Sequence, residues 1–205
     1  MTDQLSLYNG ALRVIGERRL ASLSENREPR RLLDGVWDDG ARRYCLEQGQ
    51  WNFAARTIEI GYEPSVTPDF GYSRAFTKPD DWVRTMALAS DEYFRNPIIG
   101  YEDNNGYWWS DYDTLYVKYV SDDSAYGLDL SLWPESFTKY VEHYLADEIV
   151  WPLTQNQQKK DKVEKDMERA LKKARSLDAM NQPTQLPPMG SFASARLGGS
   201  WRRNG

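Results

Sequence analysis

WPESFTKYVEHYLADEIVWPLTQNQQKKDKVEKDMERALKKARSLDAM, residues 133–180, decides the fold. Pro134-Glu135-Ser136-Phe137 is a helix start, because proline suits the first turn. Phe137, Tyr140, Val141, Tyr144 and Leu145 then recur at helical spacing and define one apolar stripe. Trp151-Pro152 predicts an interruption, since proline lacks an amide hydrogen and disfavours helix in the residue before it. A second, more charged helix is predicted from about Thr154 to Ala179. Its Val163, Met167, Ala170, Ala174 and Leu177 form a narrow seam suited to one neighbouring helix. With charge on its other faces, this second helix reads as a projecting strut.

Working outward, a first helix is predicted over about Asp3 to Gly16, with Leu5, Tyr8, Leu12 and Ile15 on one face. After a loop at residues 22–26, Pro29 opens a second helix predicted to end near Gly49, carrying Leu33, Val36, Trp37, Tyr44 and Cys45. The alternation Thr57-Ile58-Glu59-Ile60-Gly61-Tyr62 marks a switch to strand. From there to Leu132 the chain is broken by prolines, glycines and Asn104-Asn105-Gly106. Asn105-Gly106 predicts a type I′ hairpin between Ile98-Ile99-Gly100-Tyr101 and Tyr107-Trp108-Trp109. Asp113 to Val120 reads as the clearest strand. No internal repeat is visible. The fold class is therefore α+β and mainly helical: an antiparallel helical bundle (1–60 and 133–180), an inserted small antiparallel β-sheet or sandwich (61–132), and an extended C-terminal tail (181–205).

Composition excludes more than it specifies. The 205 residues carry a net charge of −5, which argues against a generic nucleic-acid binder. After Asp178 there is no acid, yet Arg196, Arg202 and Arg203 follow, so a short basic tail hangs from an acidic body. The tail's apolar anchors are Leu186, Met189, Phe192, Leu197 and Trp201. Cys45, the only cysteine, reads as a small buried hydrophobe and rules out a disulfide framework. Synthesis in a reducing cytoplasm, without signal peptide or membrane-spanning segment, is the expectation. Aromatic residues make up 13% of the chain, which favours binding or assembly surfaces.

Catalytic raw material is sparse. His143 is the only histidine, so a multi-histidine metal site is excluded and a packing or surface role is favoured. No nucleophile elbow, P-loop or dinucleotide-binding turn is present. The acids Asp38-Asp39, Asp80-Asp81, Asp111 with Asp113, and Asp122-Asp123 could supply a glycosidase pair, but such steps more often build turns and caps. Asp103-Asn104-Asn105-Gly106 lacks the rest of a calcium loop. The run Tyr101, Tyr107, Trp108, Trp109, Tyr112, Tyr116, Tyr119 fits sheet core, a subunit interface or a carbohydrate platform. Core plus interface is the favoured reading, with adjacent residues facing opposite sides of a strand.

Several segments together resemble one family. Leu7-Tyr8-Asn9-Gly10-Ala11-Leu12-Arg13-Val14-Ile15-Gly16-Glu17 with the turn Ala21-Ser22-Leu23 resembles the opening of phage head-to-tail adaptors, the tail tubular protein A family. Trp51-Asn52-Phe53-Ala54, Lys78-Pro79-Asp80-Asp81-Trp82-Val83-Arg84, Leu115-Tyr116-Val117-Lys118-Tyr119-Val120 and Trp133-Pro134-Glu135-Ser136-Phe137 are similar to later segments of that family, in the same order, over roughly residues 5 to 180. The resemblance implies a ring of twelve subunits beneath the portal, bound to the portal protein on one side and the tail nozzle protein on the other. Genomic DNA would pass through it without sequence-specific contact. It implies no catalytic residue, cofactor, metal or membrane. Under it, Phe192, Leu197, Trp201, Arg202 and Arg203 are candidate portal-binding residues, and Trp108, Trp109, Tyr112 and Tyr116 candidate subunit-interface residues. The protein would be made in the host cytoplasm and reside in the virion, at the head–tail junction. The alternatives are a virion-associated muramidase-like enzyme and a carbohydrate-binding module.

Overall fold

The computed structural model describes residues 2–68 and 71–181. They form five α-helices and two three-stranded antiparallel sheets, an α+β fold. Helix α1 (Gln4–Ile15) starts at a reciprocal cap: Asp3 Oδ1 accepts from the Ser6 amide at 2.7 Å, and Ser6 Oγ accepts from the Asp3 amide at 3.0 Å. It buries Leu7, Tyr8, Ala11, Leu12 and Ile15 and stops at Gly16, as its sequence predicts.

The single helix expected over 29–49 is two. Helix α2 (Glu28–Asp38) ends before Gly40, whose φ of 95° lies in the left-handed region that glycine reaches without a Cβ clash, and α3 (Ala41–Glu47) begins beyond it. The turn redirects the chain, so Leu33 and Trp37 from α2 and Cys45 and Leu46 from α3 all enter one core. A single 3-10 turn (Asn52–Ala54) then leads into strand β1 (Ala55–Gly61), six residues earlier than the predicted start of the β-rich part.

Strands β2 (Arg74–Thr77), β3 (Trp82–Ala89), β4 (Glu102–Asn104), β5 (Tyr107–Ser110) and β6 (Thr114–Ser121) follow. One sheet has the order β1-β6-β3, the other β2-β5-β4. Asn105 and Gly106, at φ 50° and 80°, form the predicted hairpin turn between β4 and β5. The incoming strand is Glu102–Asn104, however, and not 98–101. Pro97 bridges Ala89 and the Ile98 amide bonds Leu88 O at 2.8 Å, so that stretch is drawn to the edge of β3. The two sheets close over a small core of Phe76, Leu88, Ile98, Trp108, Leu115, Val117 and Tyr119, which is the sandwich alternative of the sequence reading.

Helix α4 (Glu135–Thr154) carries Phe137, Tyr140, Val141, Leu145, Ala146, Ile149 and Val150 into the larger core. The break expected at Trp151-Pro152 is absent there. Pro152 sits in the last turn, where it removes only one helical hydrogen bond, to the carbonyl of exposed Glu148, and the chain reverses instead at Gln155, φ 47°. Asn156 caps α5 (Gln157–Met180) by accepting from the Lys159 amide at 3.1 Å. Helix α5 doubles back along α4. Lys160, near its start, bonds Asp147 near the end of α4, at 2.6 Å, while Asp178 at its far end reaches Asn52 beside Trp51, which packs on Phe137 at the start of α4. Val163 and Ala174 are buried and Met167, Ala170 and Leu171 pack on the core, confirming the narrow seam. Leu177 is 41% exposed, and Asp178, 6% exposed, takes the inward place. Pinned at both ends, α5 is a packed helix and not a projecting strut.

Candidate functional site

The junction between the helices and the β part is built from polar groups. The Asp178 carboxylate accepts from the Asn52 amide and from Asn52 Nδ2, at 3.0 and 2.9 Å. Burial pushes this carboxyl above the ordinary aspartate range, although both Asn52 donors pull the other way. Next to it, Arg84 Nη1 and Arg175 Nε donate to the carbonyls of Glu47 and Gln48, at 3.0 and 2.6 Å, where α3 ends. These side chains, with Trp51, line an open cavity of about 380 Å³. Its carboxylate is already engaged with Asn52 and its two guanidinium groups with backbone carbonyls.

Asp81 is the second polar centre. Arg56 Nη1 donates to it at 2.9 Å, the Tyr119 hydroxyl at 3.0 Å, and Ser121 Oγ also donates. Burial raises this carboxyl, but the donors from Ser121, Arg56 and Tyr119 together hold it below the usual range. The other acids singled out in the sequence do local work as well. Asp111 accepts from the Ser73 amide and hydroxyl, Asp113 pairs with Arg74 at 2.6 Å, Asp122 pairs with Arg43, and Asp123 accepts from the Ala125 amide. Asp38, Asp39 and Asp80 lie on the surface. Among the described residues, no group of three or more His, Cys, Asp or Glu could hold a metal ion. Cys45 is fully buried, as expected, and burial raises its thiol. His143 is half-buried, its Nδ1 2.7 Å from Lys139 O.

The aromatic run divides as alternation requires. Trp108 is fully buried, its indole N–H donating to Thr85 Oγ1 at 2.8 Å, so it belongs to the core of the β part and offers no surface to a neighbour; this corrects its place among the interface candidates. Lys78 lies beside it, 3.7 Å from the Trp82 ring centroid and paired with Asp103, with only 8% of its side chain exposed. Trp109 and Tyr116 are half-buried and Tyr112 is 45% exposed, so these three retain accessible surface.

Tyr112 opens onto a groove of about 580 Å³ lined by Tyr72, Pro97, Ile98, Ile99, Gly100 and Asp111. Ile99 stands 90% exposed at its edge, and Tyr93 in the preceding loop is 68% exposed. The groove can bind apolar side chains beside negative charge. Periodicity does not reveal it, because Ile98-Ile99 has the pattern of a strand. The signal available was Asn96-Pro97 and Gly100, turn residues bracketing an isoleucine pair. Phe192, Leu197, Trp201, Arg202 and Arg203 lie outside the described residues.

No protein-family model matches this chain, and a search of curated proteins finds no match. No helix among the described residues is long and apolar enough to cross a membrane.

Proposed function

We propose that this chain is a structural head-to-tail adaptor of a tailed phage particle, a ring subunit that joins the portal to the tail nozzle and lets genomic DNA pass. The observation that carries the reading is the segregation of surfaces between two parts of the chain. Residues 1–54 and 133–181 balance in charge, whereas 55–132 hold fourteen acids against six bases, a net −8. Exposed aromatics occur on both parts: Tyr44 and Trp151 on the helices, Tyr93 and Tyr112 with Ile99 on the β part. A ring subunit needs separate lateral and axial contacts, and separate exposed apolar groups suit that need. The ordered resemblance over residues 5 to 180 supplies the identity of the partners.

In this reading the helices act as an antiparallel bundle that seats the ring, with twelve subunits expected. Residues 181–205 are the portal-binding tail, anchored through Phe192, Leu197, Trp201, Arg202 and Arg203. Trp109, Tyr112 and Tyr116 contribute to lateral contacts. The acidic β part repels the DNA backbone instead of gripping it. The protein acts without a cofactor and resides at the head–tail junction of the virion. Native mass spectrometry of the chain mixed with its cognate portal ring tests the proposal. Stoichiometric addition of subunits to the portal is expected; a full-length chain that leaves the portal ring bare overturns the assignment.

A further inference from the structure

The groove on the β part is the feature that the adaptor reading leaves unassigned. Ile99 is 90% exposed and Tyr112 45%, and both side chains line one concavity, whereas exposed apolar residues on a monomer are ordinarily scattered singly. We propose that this groove is the docking site for the C-terminal segment of the same chain, residues 182–205.

Three observations identify the occupant. The first is charge. The part that bears the groove has a net charge of −8, with Asp111 in the lining, while residues 182–205 hold three arginines and no acid. The second is apolar content: the segment spaces Leu186, Met189, Phe192, Leu197 and Trp201 among its arginines, prolines and glycines. An apolar groove with an acidic surround is the complement of a segment whose apolar anchors alternate with basic ones.

The third is reach. The Asp178–Asn52 bonds fix the end of α5 at the head of β1. Strand β1 then runs seven residues to Gly61, whose partner in the ladder is Thr114, two positions from Tyr112. The span from the end of α5 to the groove is therefore close to one strand length, roughly 23 Å at about 3.3 Å per residue. Ten residues beyond Asn181 extend up to roughly 33–36 Å. Phe192 reaches the groove within its own chain, and a short tether gives it a local concentration in the millimolar range.

This inference goes beyond the adaptor reading and does not depend on it. Under the adaptor reading it adds an order of events: the segment covers Tyr112 in the free subunit and uncovers it on engaging the portal, so lateral contacts form on the portal first.

Ile99→p-benzoylphenylalanine in the full-length chain tests the proposal, because so exposed a side chain can be exchanged without disturbing the core. Irradiation of an equal mixture of isotope-labelled and unlabelled chains should join position 99 to residues 186–201 of the same chain. The yield should fall several-fold in roughly 1 M salt, where the screening length is about 3 Å. It should fall likewise in the Arg196→Glu/Arg202→Glu/Arg203→Glu variant. Trp151→p-benzoylphenylalanine on α4 serves as the control and should not capture the segment. Crosslinks confined to other surfaces, equal capture from position 151, or adducts mainly between labelled and unlabelled chains would each overturn own-chain docking. None of these outcomes bears on whether the chain binds a portal.

Discussion

Gly10→Ala should destabilise this protein, although the same change in an ordinary helix does the reverse. Gly10 lies inside α1, where alanine is normally favoured over glycine by roughly 0.5–1 kcal/mol. Here a Cβ would fall 2.1 Å from Cδ and 2.4 Å from Cγ of Glu142 on α4, far inside van der Waals contact. Glu142 has little room to yield. Its side chain is 7% exposed and is held by Arg13 at 3.1 Å and Lys139 at 2.9 Å. Either α1 backs away from α4, at the overpacking penalty of about 1–3 kcal/mol, or Glu142 leaves its partners and surrenders charge-assisted bonds of comparable size. After the propensity gain, a net loss of about 1–2 kcal/mol is expected. Glu142→Ala removes the obstacle and strands little, because Arg13 and Lys139 are half-exposed. In that background Gly10→Ala should stabilise by about 0.5–1 kcal/mol, which makes the coupling between the two sites about 2 kcal/mol. Urea unfolding followed by tryptophan fluorescence, on both single variants and the double, measures it. Stabilisation by Gly10→Ala in the wild-type background would refute the close α1–α4 contact and the reasoning built on it.

Asp81→Asn should cost about 2–3 kcal/mol at neutral pH, since it loosens Arg56 and the buried Tyr119 hydroxyl together. Because the folded-state pKa of Asp81 is depressed, its contribution is present above the ordinary aspartate value and fades as pH falls through the folded one. Unfolding curves of wild type and variant should therefore converge below about pH 4, and a gap independent of pH would contradict this. Asp178 has the opposite sign: its pKa is raised, so the folded state holds the extra proton and stability declines as pH climbs from the ordinary aspartate value through the folded one. Asp178→Asn should lose that slope and gain on wild type toward neutral pH; parallel stability profiles would show that the carboxyl is not penalised by burial. Gly127→Ala would place a Cβ 2.2 Å from the Ser121 carbonyl oxygen, a backbone atom that cannot swing away. A loss of roughly 2–4 kcal/mol is expected in thermal or urea unfolding, and a change below about 0.5 kcal/mol would contradict that packing.

What the sequence reveals about this fold follows from the range of the forces involved. Helix α1 is legible from end to end because its cap, its stripe and its terminal glycine are all local signals. The Asn105-Gly106 turn is legible for the same reason. The split at Gly40 is not, because the apolar spacing from Leu33 through Cys45 continues across it and only the left-handed turn reveals the change of direction. Pro152 misleads in the other sense. A proline in a last turn forfeits one hydrogen bond, and reversal is left to Gln155, a residue with no turn propensity to announce it. Leu177 and Asp178 exchange their expected places because Asn52, 126 positions away, supplies donors for the carboxylate. The burial of Trp108 is likewise decided by a strand partner 32 positions back, Phe76, and the exposure of Ile99 by the pairing of Pro97 and Ile98 with the edge of β3.

Strand β6 explains why the two parts work as one body despite their different charge. Its Leu115, Val117 and Tyr119 enter the small core between the sheets, while Val120 enters the helical core. The switch falls at the end of the strand, beside Ser121, whose hydroxyl joins Tyr119 on Asp81. Asp81 also receives the Asp122 amide on its carbonyl, at 3.0 Å, and holds Arg56 from β1. One residue thus ties β1, β6 and the start of β3 at the border between the two cores. The Asp178–Asn52 bonds fasten the last helix to the chain just before β1, close to the same border. A pull on the C-terminal segment therefore acts at the head of β1, directly on this polar joint, before it reaches either apolar core.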